Sequence, residues 1–453
     1  MPYAASQISE KPHCYRHVSF DIRRTNHQAD RIFLPHFLIG FFYRIFLSRI
    51  FHEEGLGIIG LIAPVAVLVH SVCAGGLQNA ITRFVAASKK EKSAESYAYL
   101  FTGIVISMLL SVIMSYAVFH HASFIARKLI GEPRCVPLLQ ISAFSFPLAS
   151  LHCCINGFFY GRRQAAVPAL SMLIEQIVRV SVVYLLYAAF AELGARPSLS
   201  FVCIGMLMGE FASAGFSCLI LLVKSRKCSG KQSGLFSLQK GRALFTLALP
   251  LSMNRICISL LSSIETIQLP KRLVSSGLTS ANALSLYGIF SGMAFPLIMF
   301  PSALTGAAAS LLLPTVSEAQ AVGNDRRISR TIGLTTGICF LLGVICMLFF
   351  LVFADFLGIF LFDSRDAASQ IRSLAFVCPF LYLSGTLSSI LHGLGKTGTT
   401  FVFNLLTILL RLGFVLFVVP AIGFSGYFYG ILCSQIFLDL LIILALKRYI
   451  IYN

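Results

Sequence analysis

The chain is poor in charge, has no tryptophan and contains no Cys-x-x-Cys pair. Only 12% of its 453 residues are Asp, Glu, Lys or Arg, against about a quarter in an ordinary soluble domain, which argues against a conventional soluble enzyme. The 13 cysteines are scattered, and Cys153 and Cys154 are chain neighbours rather than a metal motif. Neither a disulfide-stapled domain nor a zinc site is expected; the cysteines read as small buried hydrophobes. Without Trp, Tyr and Phe must supply any interfacial belt. The first 31 residues are polar and mixed in charge, so no cleavable signal peptide is expected. What is present is apolar: 57% hydrophobic residues and a mean hydropathy of +0.82. Lipid demands internally satisfied backbone and about 20 apolar residues per crossing, so the composition predicts an all-α, polytopic membrane protein.

Twelve apolar segments can be drawn, at 32–51, 56–82, 97–120, 135–160, 165–190, 199–223, 244–268, 282–314, 331–362, 370–391, 399–420 and 424–446. The eighth holds Pro296, Pro301 and Pro314, which predicts a kink or break. With the N-terminus inside, the inner segments hold 23 Lys and Arg, the outer loops and outer span ends (Arg49 and Arg372 among them) hold 9, and four Arg lie deeper within spans. That asymmetry accounts for the net charge of +18 by the positive-inside rule, with no nucleic-acid partner, and predicts both termini in the cytoplasm.

The two halves echo each other. Arg44 in the first segment answers Arg255 in the seventh, Arg179 in the fifth answers Arg411 in the eleventh, and Pro64 answers Pro296. A basic stretch rich in Ser and Gly, 224–243, separates them. The expected organisation is a polar cytoplasmic segment at 1–31, a six-helix lobe at 32–223, a cytoplasmic linker at 224–243 and a second lobe at 244–448. Because six is even, both copies face the same way, with a central cavity between them.

Ionisable residues within spans are costly and mark functional candidates. They are Arg44, Arg179, Arg255, Arg411, Glu175, Glu210, Glu265, Asp355 and Asp439. Glu175 and Arg179 stand four residues apart on one helix face, the spacing of a local ion pair. Asp355 and Asp439 fall near span ends, within reach of water. Arg44 and Arg255 occupy matching places and would face one cavity, in a substrate-contacting or a structural role. Glu265 lies about three turns beyond Arg255 and could line the cavity mouth with Lys271 and Arg272. Gly395-Lys396-Thr397 is no phosphate loop, since Ile390 stands where a glycine is required. Five small-xxx-small pairs, Gly205/Gly209 and Gly333/Gly337 among them, predict close helix contacts. No Ser/His/Asp or metal-spaced constellation points to an enzyme.

Three stretches resemble a known family. They are Gly40-Phe-Phe-Tyr-Arg44-Ile-Phe-Leu-Ser-Arg49 with Glu54-Gly55-Leu-Gly57, then Glu175-Gln-Ile-Val-Arg179-Val, and then Tyr287-Gly288-Ile-Phe-Ser-Gly292-Met-Ala-Phe-Pro296-Leu, continuing to Phe300-Pro301-Ser302-Ala303-Leu304 and Pro314-Thr-Val-Ser317-Glu318-Ala319. They are similar to the stage V sporulation protein B and polysaccharide exporter family, within the multidrug/oligosaccharidyl-lipid/polysaccharide exporter superfamily. The resemblance spans roughly residues 37–448. It implies two six-helix lobes, and kinship to lipid II flippases, in which cavity arginines hold a diphosphate. Arg49 fits the flippase first-helix pattern and Arg44 falls in the corresponding block. The flippase arginine of the eighth helix has no counterpart, since Gly288, Ile289 and Phe290 stand there.

These readings predict a monomeric, multi-pass flippase of the cell membrane. Its partners would be membrane lipids and a lipid-linked anionic oligosaccharide or peptidoglycan precursor, spore cortex included. Substrate contacts would come from Arg44, Arg49, Arg255, Glu265, Arg179 and Arg411. No cofactor or metal is expected, and the coupling ion, H+ or Na+, stays open. The alternatives are an ion-coupled multidrug exporter of the same superfamily and a non-transporting scaffold in spore-envelope assembly.

Overall fold

The computed structural model describes residues 12–88, 94–226, 238–322 and 325–452. Among them every regular element is helical and no strand occurs. Many helices are apolar all round, as lipid-facing helices are, and large side chains such as Leu109, Tyr184, Phe211, Val352 and Phe417 point outward.

Among the described residues nine helices are long and apolar enough to cross a membrane, and counting two bent pairs as one span each raises the number to eleven. The first of the nine, Pro35–Ala87, has 53 residues. At 1.5 Å per residue that is about 80 Å, far beyond a hydrocarbon core of about 30 Å. His52, with φ 55° and ψ −173°, interrupts it, so 35–51 and 53–87 are separate crossings. Twelve spans result, as the hydropathy predicts. Span 1 is 35–51 and span 2 is 53–87. Spans 3 to 6 are Glu95–His120, the bent pair Cys135–Ala143 with Ser145–Gly161, Ala166–Glu192 and Ser200–Ser225. Spans 7 to 9 are Gln239–Ser275, Ser280–Met299 and Ile328–Phe362. Spans 10 to 12 are the bent pair Arg365–Ala375 with Cys378–Gly393, then Thr397–Ile422 and Phe424–Tyr449.

The helix that contains span 1 begins at Pro12. At the expected linker one helix runs to Arg226 and the next begins at Leu238; the Lys231 region lies outside the described residues. Of the three prolines of the eighth segment, Pro301 stands at the break between Phe295–Met299 and Ser302–Ala321, while Pro314 sits inside the second piece.

The halves meet most closely where spans 2 and 8 cross. A β-carbon on Gly288 would lie 1.9 Å from the Glu53 carbonyl oxygen, and one on Gly57 2.2 Å from that of Leu284. Only glycine permits this backbone contact. Gly205 and Gly209 do the same between spans 6 and 5, where a β-carbon on Gly209 would stand 2.8 Å from the Glu175 carbonyl oxygen. Gly333 and Gly337, read as a contact pair, meet nothing within 4 Å; they face outward, where lipid replaces a partner helix.

Candidate functional site

Spans 1, 2, 5, 6 and 8 enclose a cavity of about 640 Å³. It lies beside the Gly57–Gly288 crossing, and two guanidinium groups reach its wall. Arg44, from span 1, donates from Nη1 to the Ser291 carbonyl oxygen of span 8 at 3.3 Å. Among the described residues no carboxylate pairs with it. Arg179, from span 5, is ion-paired with Glu175 one turn back and donates to Gln176 Oε1 at 3.4 Å. The two cations lie near enough to repel one another. Four further polar atoms of the lining, His36 Nδ1, Tyr43 Oη, Ser291 Oγ and Arg179 Nε, are buried without a hydrogen-bond partner in the protein. Buried polar groups are rarely left so. Among the described residues no Asp or Glu lines the cavity. Its wall is therefore cationic and short of acceptors, and it suits an anion that brings its own oxygens.

The end of the cavity near His52 is clasped between the halves. Arg49 Nη2 donates to the Phe360 carbonyl oxygen at 2.7 Å and its Nε to that of Leu361 at 3.3 Å, at the end of span 9. A cation there also meets the negative end of a helix. Ser364 Oγ donates to Glu53 Oε1 at 2.5 Å, and Lys271 Nζ to the Leu129 carbonyl oxygen at 2.5 Å. In the loop ahead of span 4, Arg134 bonds Glu132 at 2.8 Å and Glu54 at 2.7 Å. Hydrogen bonding to Arg134 holds the Glu132 carboxyl below the usual carboxylate range.

The six sequence candidates thus divide among different places. Arg44 and Arg179 share the cavity. Arg49 serves the clasp. Arg255 does not line this cavity; its Nη1 would stand 3.1 Å from a β-carbon on Gly75, in the π-helical turn Ser71–Gly75 of span 2. Glu265 is 3% exposed and sits inside the C-terminal half, not at a mouth. It accepts from Arg411 Nη2 at 2.8 Å and from Tyr427 Oη at 3.1 Å. The matching of Arg44 with Arg255 by chain position does not carry over to a shared wall, because span 7 turns that guanidinium toward span 2. Asp355 is exposed and pairs with Arg372 at 2.6 Å, whereas Asp439 is buried, with neither oxygen hydrogen-bonded. Sequence reasoning missed His36, Tyr43 and His152. A count of Lys, Arg, Asp and Glu passes over them, though histidines inside apolar segments carry the same signal.

The fold and this cavity define a polytopic α-helical membrane protein of transporter architecture. Two solved structures share that fold, an inward-facing multidrug resistance MATE family transporter of the MOP superfamily and the lipid II flippase MurJ in its inward closed conformation. The first has a TM-score of 0.73 at 16% identity, covering 91% of this chain and 95% of that one. The second has a TM-score of 0.71 at 14% identity, covering 92% and 87%. The chain belongs to the polysaccharide biosynthesis protein family, whose model matches residues 34–320; the MatE model matches residues 250–435. It is 27% identical over 413 residues to stage V sporulation protein B of Bacillus subtilis strain 168, covering 89% of this chain and 79% of the relative.

Proposed function

We propose that this protein is a flippase that carries a lipid-linked, diphosphate-bearing sugar precursor of cell wall or polysaccharide across the cell membrane by alternating access. The observation that carries the reading is the pair Arg44 and Arg179 on one cavity wall that has no carboxylate. Among the described residues Arg44 has no anionic partner, and a guanidinium left without one can take phosphate oxygens in a two-pronged contact. A cavity of about 640 Å³ matches the size range of small-ligand sites. It suits a diphosphate-sugar head group, while the polyprenyl tail stays in the bilayer. Phe37, Phe41 and Phe300, clustered with ring centroids 5.2 and 5.4 Å apart between spans 1 and 8, supply an apolar edge for that tail. The match to stage V sporulation protein B supports a cell-wall precursor, and the related lipid II flippase fold supports the diphosphate. The protein works as a monomer, without an enzymatic step.

The MatE match favours a second reading, an exporter of cationic drugs. Such a site would want acidic groups, and the cavity wall has none. In our reading the two lobes divide within 224–243, both termini are cytoplasmic and the His52 end faces outward. A cysteine placed at Lys231 should then resist impermeant thiol reagents applied to intact cells and react after permeabilisation; labelling from outside would reverse the topology. The function itself is tested in liposomes holding the purified protein. A fluorescent undecaprenyl-diphosphate-linked sugar should become accessible on the far leaflet, and its confinement to one leaflet would refute the flippase.

A further inference from the structure

We propose that His152, Glu175 and Glu210 form a proton-loading site that takes up one proton when Arg179 leaves Glu175 for the transported anion; the proposal rests on the flippase reading above.

The close crossing of spans 5 and 6 builds the site. Gly205 and Gly209 let span 6 approach the carbonyl oxygens of Arg179 and Glu175, which brings Glu210 beside Glu175. His152 enters from span 4, its Nδ1 3.0 Å from Glu210 Oε2 but without hydrogen-bond alignment. One ring nitrogen of His152 and one carboxylate oxygen from each glutamate lie within 4.8 Å of one another. All three side chains are largely buried, with 13 to 18% exposure. Further charged and titratable groups face or adjoin them from spans 1, 2, 4, 5 and 7. His70 and Arg255 approach from spans 2 and 7, and Cys153 adjoins His152, its sulfur 3.9 Å from His70 Nε2. Arg179 stands on span 5 itself, with Arg44 of span 1 beyond it.

Arg179 belongs to both places: it pairs with Glu175 and it lines the cavity. An anion held by Arg44 and Arg179 therefore competes with Glu175 for the same guanidinium. Once Arg179 turns to the anion, Glu175 and Glu210 are two carboxylates in one buried site with no cation between them. Two such groups do not both stay ionised; one binds a proton. The proton comes from water and is shared through His152, and no covalent bond is made or broken. It also offsets part of the charge that the diphosphate brings into the membrane, where net charge is costly.

The test uses the full-length protein in nanodiscs and an undecaprenyl-diphosphate-linked sugar, whose doubly esterified diphosphate stays ionised from pH 6 to 9. Binding is followed in weak buffer with a pH indicator. The wild type should take up about one proton per bound lipid, and its affinity should fall by up to about tenfold per pH unit as the site loses its proton. Glu175→Gln leaves Arg179 free from the start; it should bind more tightly than wild type at pH 9, with no proton uptake and a flat pH profile. Should that variant fail to fold, Glu210→Gln, which keeps the Glu175–Arg179 pair, should shift the pH dependence to lower pH. Tight wild-type binding that is independent of pH and silent to the indicator would overturn the relay and leave the flippase standing. Proton uptake unchanged in Glu175→Gln, or a pH profile unchanged in Glu210→Gln, would overturn it too. No wild-type binding at any pH would remove both.

Discussion

Arg44→Ala should cut translocation of the lipid-linked diphosphate by roughly 10- to 150-fold while leaving the fold intact. Arg44 has no ion-pair partner among the described residues and makes one hydrogen bond, at 3.3 Å, to the Ser291 carbonyl oxygen. Removing it strands no buried carboxylate and takes a costly charge out of a membrane span, so stability should hold or rise. What is lost is a charge-assisted contact to the substrate, worth about 1.5–3 kcal/mol, or one to two decades in affinity. Arg44→Lys keeps the charge but not the two-pronged donor geometry that suits phosphate oxygens, and should recover only part of the loss. Translocation in liposomes at matched protein, read beside the thermal unfolding midpoint in detergent, separates the two effects. Full activity in Arg44→Ala would make this residue structural.

The opposite pattern is expected at the Glu265–Arg411 ion pair. Glu265→Ala should destabilise the C-terminal half by about 3–5 kcal/mol, because it leaves the Arg411 guanidinium uncompensated in the protein interior. Glu265 joins three spans: it stands on span 7, accepts from Arg411 of span 11 at 2.8 Å and from Tyr427 of span 12 at 3.1 Å. Glu265→Gln combined with Arg411→Met should restore most of the stability, since removing both charges is far less costly than removing one. Thermal unfolding of the two single variants and the double variant gives the coupling between them. Additive effects would show that the two residues do not act as a pair. Loss of transport in Glu265→Ala would then report a loosened lobe rather than a lost substrate contact.

The architecture was legible because it rests on repeated, summed signals. Twelve apolar runs survive errors of several residues at any boundary. Gly205 and Gly209 were legible as a close contact, since small residues four apart have few other uses in a span. The site was legible only in part. That Arg44, Arg179, Arg255 and Arg411 lie within spans followed from hydropathy, but which way each one points depends on the rotation of its helix. Arg255 turns toward Gly75 and Arg411 toward Glu265, and nothing in their spacing encodes that. Gly333 and Gly337 carry the same pattern as Gly205 and Gly209, yet they meet no neighbour. A short motif names a capacity for contact, and the neighbour that uses it comes from another part of the chain. His152 shows the converse: one histidine in an apolar run gains its meaning from Glu210, which lies 58 residues away in sequence and 3.0 Å away in space.

The central claim is that the cavity is built for an anion on a lipid. The most direct measurement is a competition experiment on the purified wild-type protein. An undecaprenyl-diphosphate-linked sugar is titrated at low and high salt, with and without an excess of a cationic dye. The account predicts binding of the lipid that weakens as salt rises, because ions screen the attraction to Arg44 and Arg179, with no competition from the dye. Tight binding of the dye with no affinity for the lipid would contradict it and establish the drug exporter in its place.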